Sequence, residues 1–126
     1  MDIIFVCKDG DLGSLLSHFM DAVTAKKAGE DAGLIVAEEA LWAVATGELT
    51  SRPTLESHFK LEDIKAIGLP TDANGLLKMA GEAGVPVVAC GGWTMLLGLQ
   101  GKLPEGVVAE EVGPHLLKAK KIIGGF

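Results

Sequence analysis

Apolar and polar positions along this chain switch repeatedly between a strand pattern and a helix pattern. Ile3 to Cys7 is an unbroken apolar run after one polar residue, as expected of a central strand buried on both faces. Lys8-Asp9-Gly10-Asp11 interrupts it. Leu12, Leu15, Leu16, Phe19, Val23 and Lys26 then recur three and four residues apart, predicting a helix capped by Asp11 or Ser14 and stopped at Gly29. Leu34 to Ala37 forms a second short apolar run, and Glu38 to Thr46 has helical character ending at Gly47.

From Glu48 to roughly Glu62 the pattern dissolves into polar residues around Arg52, Pro53 and His58, which predicts a surface excursion. Ile64 to Leu69 reads either as a short strand or as the return path. Thr71 or Asp72 caps the next helix, with Leu76, Leu77, Met79 and Ala80 as its apolar positions and Gly84 as its stop. Val85 to Cys90 is the next strand, followed by an apolar turn or short helix from Trp93 to Leu99. After a loop from Gly101 to Gly106, Val107 to Ala109 reads as the last strand. Pro114 to Ile123 reads as the last helix, with Lys118, Lys120 and Lys121 suiting the negative end of its dipole. Strands alternating with helices predict an α/β domain with a mainly parallel sheet of four or five strands.

Composition narrows the function classes. A chain of 126 residues fits a single domain, 1–126, with enough core to fold without staples. The formal charge of −6 and a supply of only six aromatic residues argue against a nucleic-acid partner. No apolar stretch approaches the ~18 residues of a membrane span. The opening residues lack the basic start of a secretory signal. Two cysteines are not a disulfide framework, so the expected setting is a reducing cytoplasm.

The chemistry centres on Val85-Pro86-Val87-Val88-Ala89-Cys90-Gly91-Gly92-Trp93, where a strand ends in a thiol and hands over to a helical turn. α/β folds place ligands at that edge. If Gly91 and Gly92 open the turn, their free backbone N–H groups would face the sulfur and favour a thiolate, and glycine would let the backbone approach an anionic adduct. The alternative is a buried structural cysteine at a strand end.

Cys7 ends the first strand at the same edge and is a possible second thiol, either resolving Cys90 or lying apart from it in the core. The Asp9-Gly10-Asp11 turn lines the edge or simply connects strand to helix. His18, expected to be partly exposed, His58 and His115 show no metal-ligand spacing, so no metal site is expected. No G-x-G-x-x-G or Walker A lysine follows the first strand, and no other cofactor motif is present, so no cofactor is expected. The only arginine, Arg52, is far in sequence from Cys90, unlike a rhodanese-type loop. Val87 stands where an ordinary peroxiredoxin carries threonine.

Two segments resemble the DsrE/DsrF-like proteins, the group that includes sulfur-relay TusD-type subunits and many peroxiredoxin-like small α/β proteins. One is IIFVCKDGDLGSLLSHFMDAVTA. The other is MAGEAGVPVVACGGWTMLLGL, in which Gly98 and Leu99 follow the cysteine by eight and nine residues. The resemblance implies a three-layer α/β/α sandwich assembling as a homotrimer or homohexamer. It also implies a persulfide-carrying cysteine at the position of Cys90, exchanging sulfur with a donor or acceptor protein or a small thiol. On that reading Gly91, Gly92, Trp93, Asp9 and Gly10 would shape the binding rim, and the protein would be a sulfur carrier or sulfurtransferase-like. Where family members often have Ser or Met, this chain has Gly92, Trp93 and Thr94. Two other expectations stand beside it: a non-catalytic oligomeric assembly module with a structural Cys90, and a thiol peroxidase using Cys90 and Cys7.

Overall fold

The computed structural model describes residues 1–124. Five strands, β1 (Ile3–Cys7), β2 (Ala32–Val36), β3 (Val87–Cys90), β4 (Val107–Glu110) and β5 (Lys121–Gly124), form one sheet in the order β4-β3-β2-β1-β5. Every pairing in it is parallel. Between them lie α1 (Leu12–Lys27), α2 (Glu38–Thr46), α3 (Pro53–Glu56), α4 (Leu61–Ala66), α5 (Ala73–Ala83), α6 (Gly91–Leu96) and α7 (Gly113–Lys118).

Right-handed crossovers explain the layers. The first three crossovers step across the sheet in one direction, from β1 to β2, β3 and β4, so their helices share one face. The last crossover returns past the whole sheet to the far side of β1, and this reversal puts α7 on the opposite face. Packing follows this division. Phe5, Cys7, Leu34, Val36, Val87 and Ala89 point into the large core with α1, α2 and α5. Ile4, Val6, Ile35 and Val88 point the other way, covered by Met1 and by Val112, Leu116 and Ala119 from α7 and its flanks. The architecture is the expected three-layer α/β/α arrangement, with one thick layer and one thin layer. β2, between two strands and under both layers, is buried along its whole length.

Local chemistry sets the element boundaries. The Ser14 N–H donates to Oδ2 of Asp11 at 3.0 Å, and the Gly75 N–H donates to Oδ1 of Asp72 at 2.7 Å. Asp11 and Asp72 are therefore the caps, rather than Ser14 and Thr71. α2 and α5 stop at Gly47 (φ 81°) and Gly84 (φ 74°), whose left-handed backbone glycine adopts without strain.

Two expectations need correction, and one open alternative is decided. The segment from Pro114 to Ile123 is not one helix: α7 ends at Lys118, and Lys121–Gly124 pairs with Ile3–Val6 as an edge strand. The free edge of β1 and the β-branched pair Ile122-Ile123 outweigh helix propensity there. Of the three lysines, only Lys118 lies in the last turn of α7, and Lys120 pairs with Asp2 at 3.4 Å. Ile64 to Leu69, which reads either as a short strand or as the return path, forms no strand: Leu61–Ala66 is helical and the remainder leads back towards α5. His18 is buried rather than partly exposed, with Nδ1 at 2.8 Å from the Ser14 carbonyl oxygen. The Glu48–Glu62 excursion does lie on the surface and contains α3, which buries no residue.

Candidate functional site at the carboxyl edge of the sheet

Parallel strands bring Cys7, Val36, Cys90 and Glu110 to the same edge of the sheet, each as the last or near-last residue of its strand. Alternation along a strand then decides which way each side chain faces. Cys7 has the parity of Phe5 and enters the large core. Cys90 has the parity of Val88 and faces the α7 side. β2 separates the two strands, so two interstrand spacings of about 4.8 Å lie between them. Opposite faces and that separation lie outside the geometry of a disulfide within one chain. Cys7 therefore does not serve as the resolving partner of Cys90, which removes the structural basis for an intramolecular thiol peroxidase.

The two thiols also differ in exposure. Cys7 is 1% exposed, and burial pushes its pKa up from 9.0 to about 12, because the apolar core disfavours the thiolate. Cys90 is half-buried and free. In an unfolded chain Cys7 would lose its proton near pH 9, whereas in the folded chain it holds it to about pH 12. Between those values only the unfolded state gains from deprotonation, so this thiol makes stability fall as pH rises. Urea titrations from pH 8.5 to 11 should show a shallower decline for Cys7→Ala than for the parent protein. In the same range, native alkylation should label Cys90 and spare Cys7.

Cys90 is the N-cap residue of α6, with extended backbone (φ −60°, ψ 119°). Its carbonyl accepts the Thr94 hydroxyl at 2.8 Å, which ties the first turn of α6 to the strand end. Its sulfur accepts no capping hydrogen bond from that turn, contrary to the expectation that Gly91 and Gly92 would direct their N–H groups at it. The two glycines have different roles. A Cβ on Gly91 would lie 3.2 Å from the Glu110 carbonyl oxygen, so a small residue lets the β3–α6 turn pass close to β4. A Cβ on Gly92 would meet open space.

Glu110 is the register partner of Cys90, and in-register neighbours of a parallel pair face the same side of the sheet. Nε2 of His115, on α7, lies 3.2 Å from Oε1 of Glu110. A carboxylate and an imidazole therefore stand on the face that Cys90 presents. Sequence reasoning passed over Glu110 and gave His115 no place beside Cys90 in its own chain, since only the pairing of β3 with β4 and the late reversal of the chain bring them there. Among the described residues, no three His, Cys, Asp or Glu side chains gather closely enough to hold a metal ion.

Asp9 and Gly10 lie elsewhere on the edge. The Gly10 carbonyl accepts the Thr50 N–H at 2.9 Å, and the turn packs against the start of α2. Lys8 reaches Glu38 at 3.7 Å, and the buried Asp11 meets Arg52 at 3.6 Å. This turn thus fastens α1, α2 and the excursion together. Among the described residues, no hydrogen bond or ion pair joins it to Cys90. Trp93 packs half-buried against the large core. Together with Trp42, Glu38, Glu39, Thr50 and Leu97 it lines a cleft of about 340 Å³.

No protein-family model matches the chain, and no curated protein matches it. Solved structures do. The ychN protein from E. coli superposes with a TM-score of 0.68 at 19% identity, over 98% of this chain and 97% of that one. A conserved protein of unknown function from Bacteroides thetaiotaomicron, BT1422, gives a TM-score of 0.58 at 13% identity, over 97% of this chain and 93% of that one. Both likenesses are of fold, and both run nearly end to end. No helix among the described residues is long and apolar enough to cross a membrane.

Proposed function

We propose that this protein is a cytoplasmic sulfur carrier whose working thiol is Cys90. The observation that carries this reading is the contrast between the cysteines: one thiol is half-exposed at the carboxyl end of β3, and the other is sealed in the core. The sequence resemblance around VPVVACGGWTMLLGL and the shared fold support the same assignment.

The transfer conserves electrons. The Cys90 thiolate attacks the outer sulfur of a donor persulfide, the donor's S–S bond breaks, and the donor leaves as a thiolate that takes up a proton. Cys90 now carries the sulfane sulfur as a persulfide. An acceptor thiolate attacks that outer sulfur, and Cys90 leaves as the thiolate. The proton released from the Cys90 thiol goes to water at this half-exposed position. Glu110 and His115 stand on the face the donor would approach, where they would favour some partners over others.

A folded sample incubated with a low-molecular-weight persulfide should gain the mass of one sulfur atom. Cys90→Ser should gain none, and Cys7→Ala should gain one as the parent does. Unchanged mass in folded parent protein with its thiols free would overturn the assignment.

A second reading has its own observation. Val108 of β4 and Leu117 of α7 on the thin side of the sheet are 59% and 88% exposed, and Met95 and Leu96 of α6 on the thick side are 66% and 75% exposed, an unusual supply of uncovered apolar side chains. It supports self-association of the chain, with or without sulfur chemistry, and the family resemblance implies a homotrimer or homohexamer. Native mass spectrometry should find that oligomer, and Leu96→Glu should dissociate it.

A further inference from the structure

We infer that the cleft between α2 and α6 is a binding site for a small organic cation of the quaternary or alkylammonium class. Its walls carry both tryptophans of the chain, Trp42 from α2 and Trp93 from α6. Aromatic faces attract cations through the negative potential above the ring, and the attraction grows where water is partly excluded. Trp42 is held in place, its indole N–H donating to Oε2 of Glu48 at 3.2 Å.

The charges around the cleft favour the same ligand. Glu38 and Glu39 lie on its wall, and Glu48 stands behind Trp42. Among the described residues, the basic side chain in an ion pair with these three carboxylates is Lys8, which reaches Glu38 at 3.7 Å. Glu39 accepts the Thr50 hydroxyl at 3.3 Å, leaving most of its lone-pair capacity for a ligand. The net charge of −6 adds a weak long-range field of the same sign. A volume of about 340 Å³ suits a ligand of small-metabolite size, at the low end of ordinary binding pockets. The position also fits, since the cleft opens where β2 and β3 give way to their helices, the edge at which α/β proteins hold ligands. Lys8 occupies part of the negative field of the cleft through its pair with Glu38, so it competes with the ligand.

The proposal stands independently of sulfur transfer and has its own readout. Both tryptophans line the cleft, so intrinsic fluorescence reports on it directly. Titration of the full chain with choline at constant ionic strength should give a saturable change in emission. The neutral isostere 3,3-dimethyl-1-butanol should bind at least tenfold more weakly. Glu39→Gln and Trp42→Leu should each weaken choline binding several-fold, and Lys8→Gln should strengthen it. Absence of a saturable change up to about 100 mM choline, a hundredfold above a dissociation constant of about 1 mM, would overturn the proposal. So would equal binding of choline and the alcohol, or indifference of choline binding to Glu39→Gln and Trp42→Leu in variants with parent-like circular dichroism.

Discussion

Replacing Phe19 with alanine is expected to lower stability by about 3–5 kcal/mol. Phe19 is wholly buried on α1, in the large core it shares with Phe5, Leu34 and Leu76. That core is the only thick layer, because three of the four crossovers send their helices to its side of the sheet. The thin side buries four strand residues under α7 and has little to compensate with. The loss combines the transfer energy of the aromatic ring with the cavity left behind, which a helix pinned by Asp11 and packed on α5 closes only in part. A domain of this size has ~5–15 kcal/mol in total, so the variant should melt well below the parent or fail to fold at physiological temperature. Urea denaturation checks this through a lower midpoint with an unchanged slope.

The second large effect is expected at Gly10. A Cβ there would lie 2.5 Å from the Glu39 carbonyl oxygen and 2.9 Å from both the Glu39 carbonyl carbon and Oγ1 of Thr50. Most of that obstruction is backbone, so a side-chain rotation does not relieve it. Gly10→Ala must push the first turn of α2 away from the β1–α1 turn and should cost about 1–3 kcal/mol. Gly92→Ala is the control. Its Cβ enters open space, and the change should stay within about 0.5 kcal/mol of the parent. Equal costs at the two positions would show that the β1–α1 turn is not packed against α2 as described.

Much of the fold was legible because it rests on local signals. The apolar runs of β1, β2 and β3 mark strands buried on both faces, and aspartates and glycines mark the ends of α1, α2 and α5. What escaped was non-local. β5 carries no alternation, since all four of its residues are exposed, and only the unpaired edge of β1 makes it a strand. His18 looked peripheral because nothing in α1 alone shows that the C-terminal strand returns beside β1.

The candidate site divides in the same way. Cys90 was readable from its strand and the glycines after it. The separation of Cys7 from Cys90 depends on strand order and parity, and the nearness of Glu110 and His115 depends on register. Neither is written in any short stretch of sequence. The N–H groups expected to face the sulfur depended on a side-chain direction that the sequence does not encode.

The central claim is that Cys90 both accepts a sulfur atom and gives it up, and a load-and-release measurement tests it most directly. Protein loaded from a small persulfide and freed of donor is mixed with cyanide, and protein mass and thiocyanate are followed together. The account predicts one thiocyanate per loaded chain, a return to the unmodified mass, a regenerated Cys90 thiol and no contribution from Cys7. Failure of Cys90 to load, or a loaded sulfur that stays on the folded protein, would contradict it.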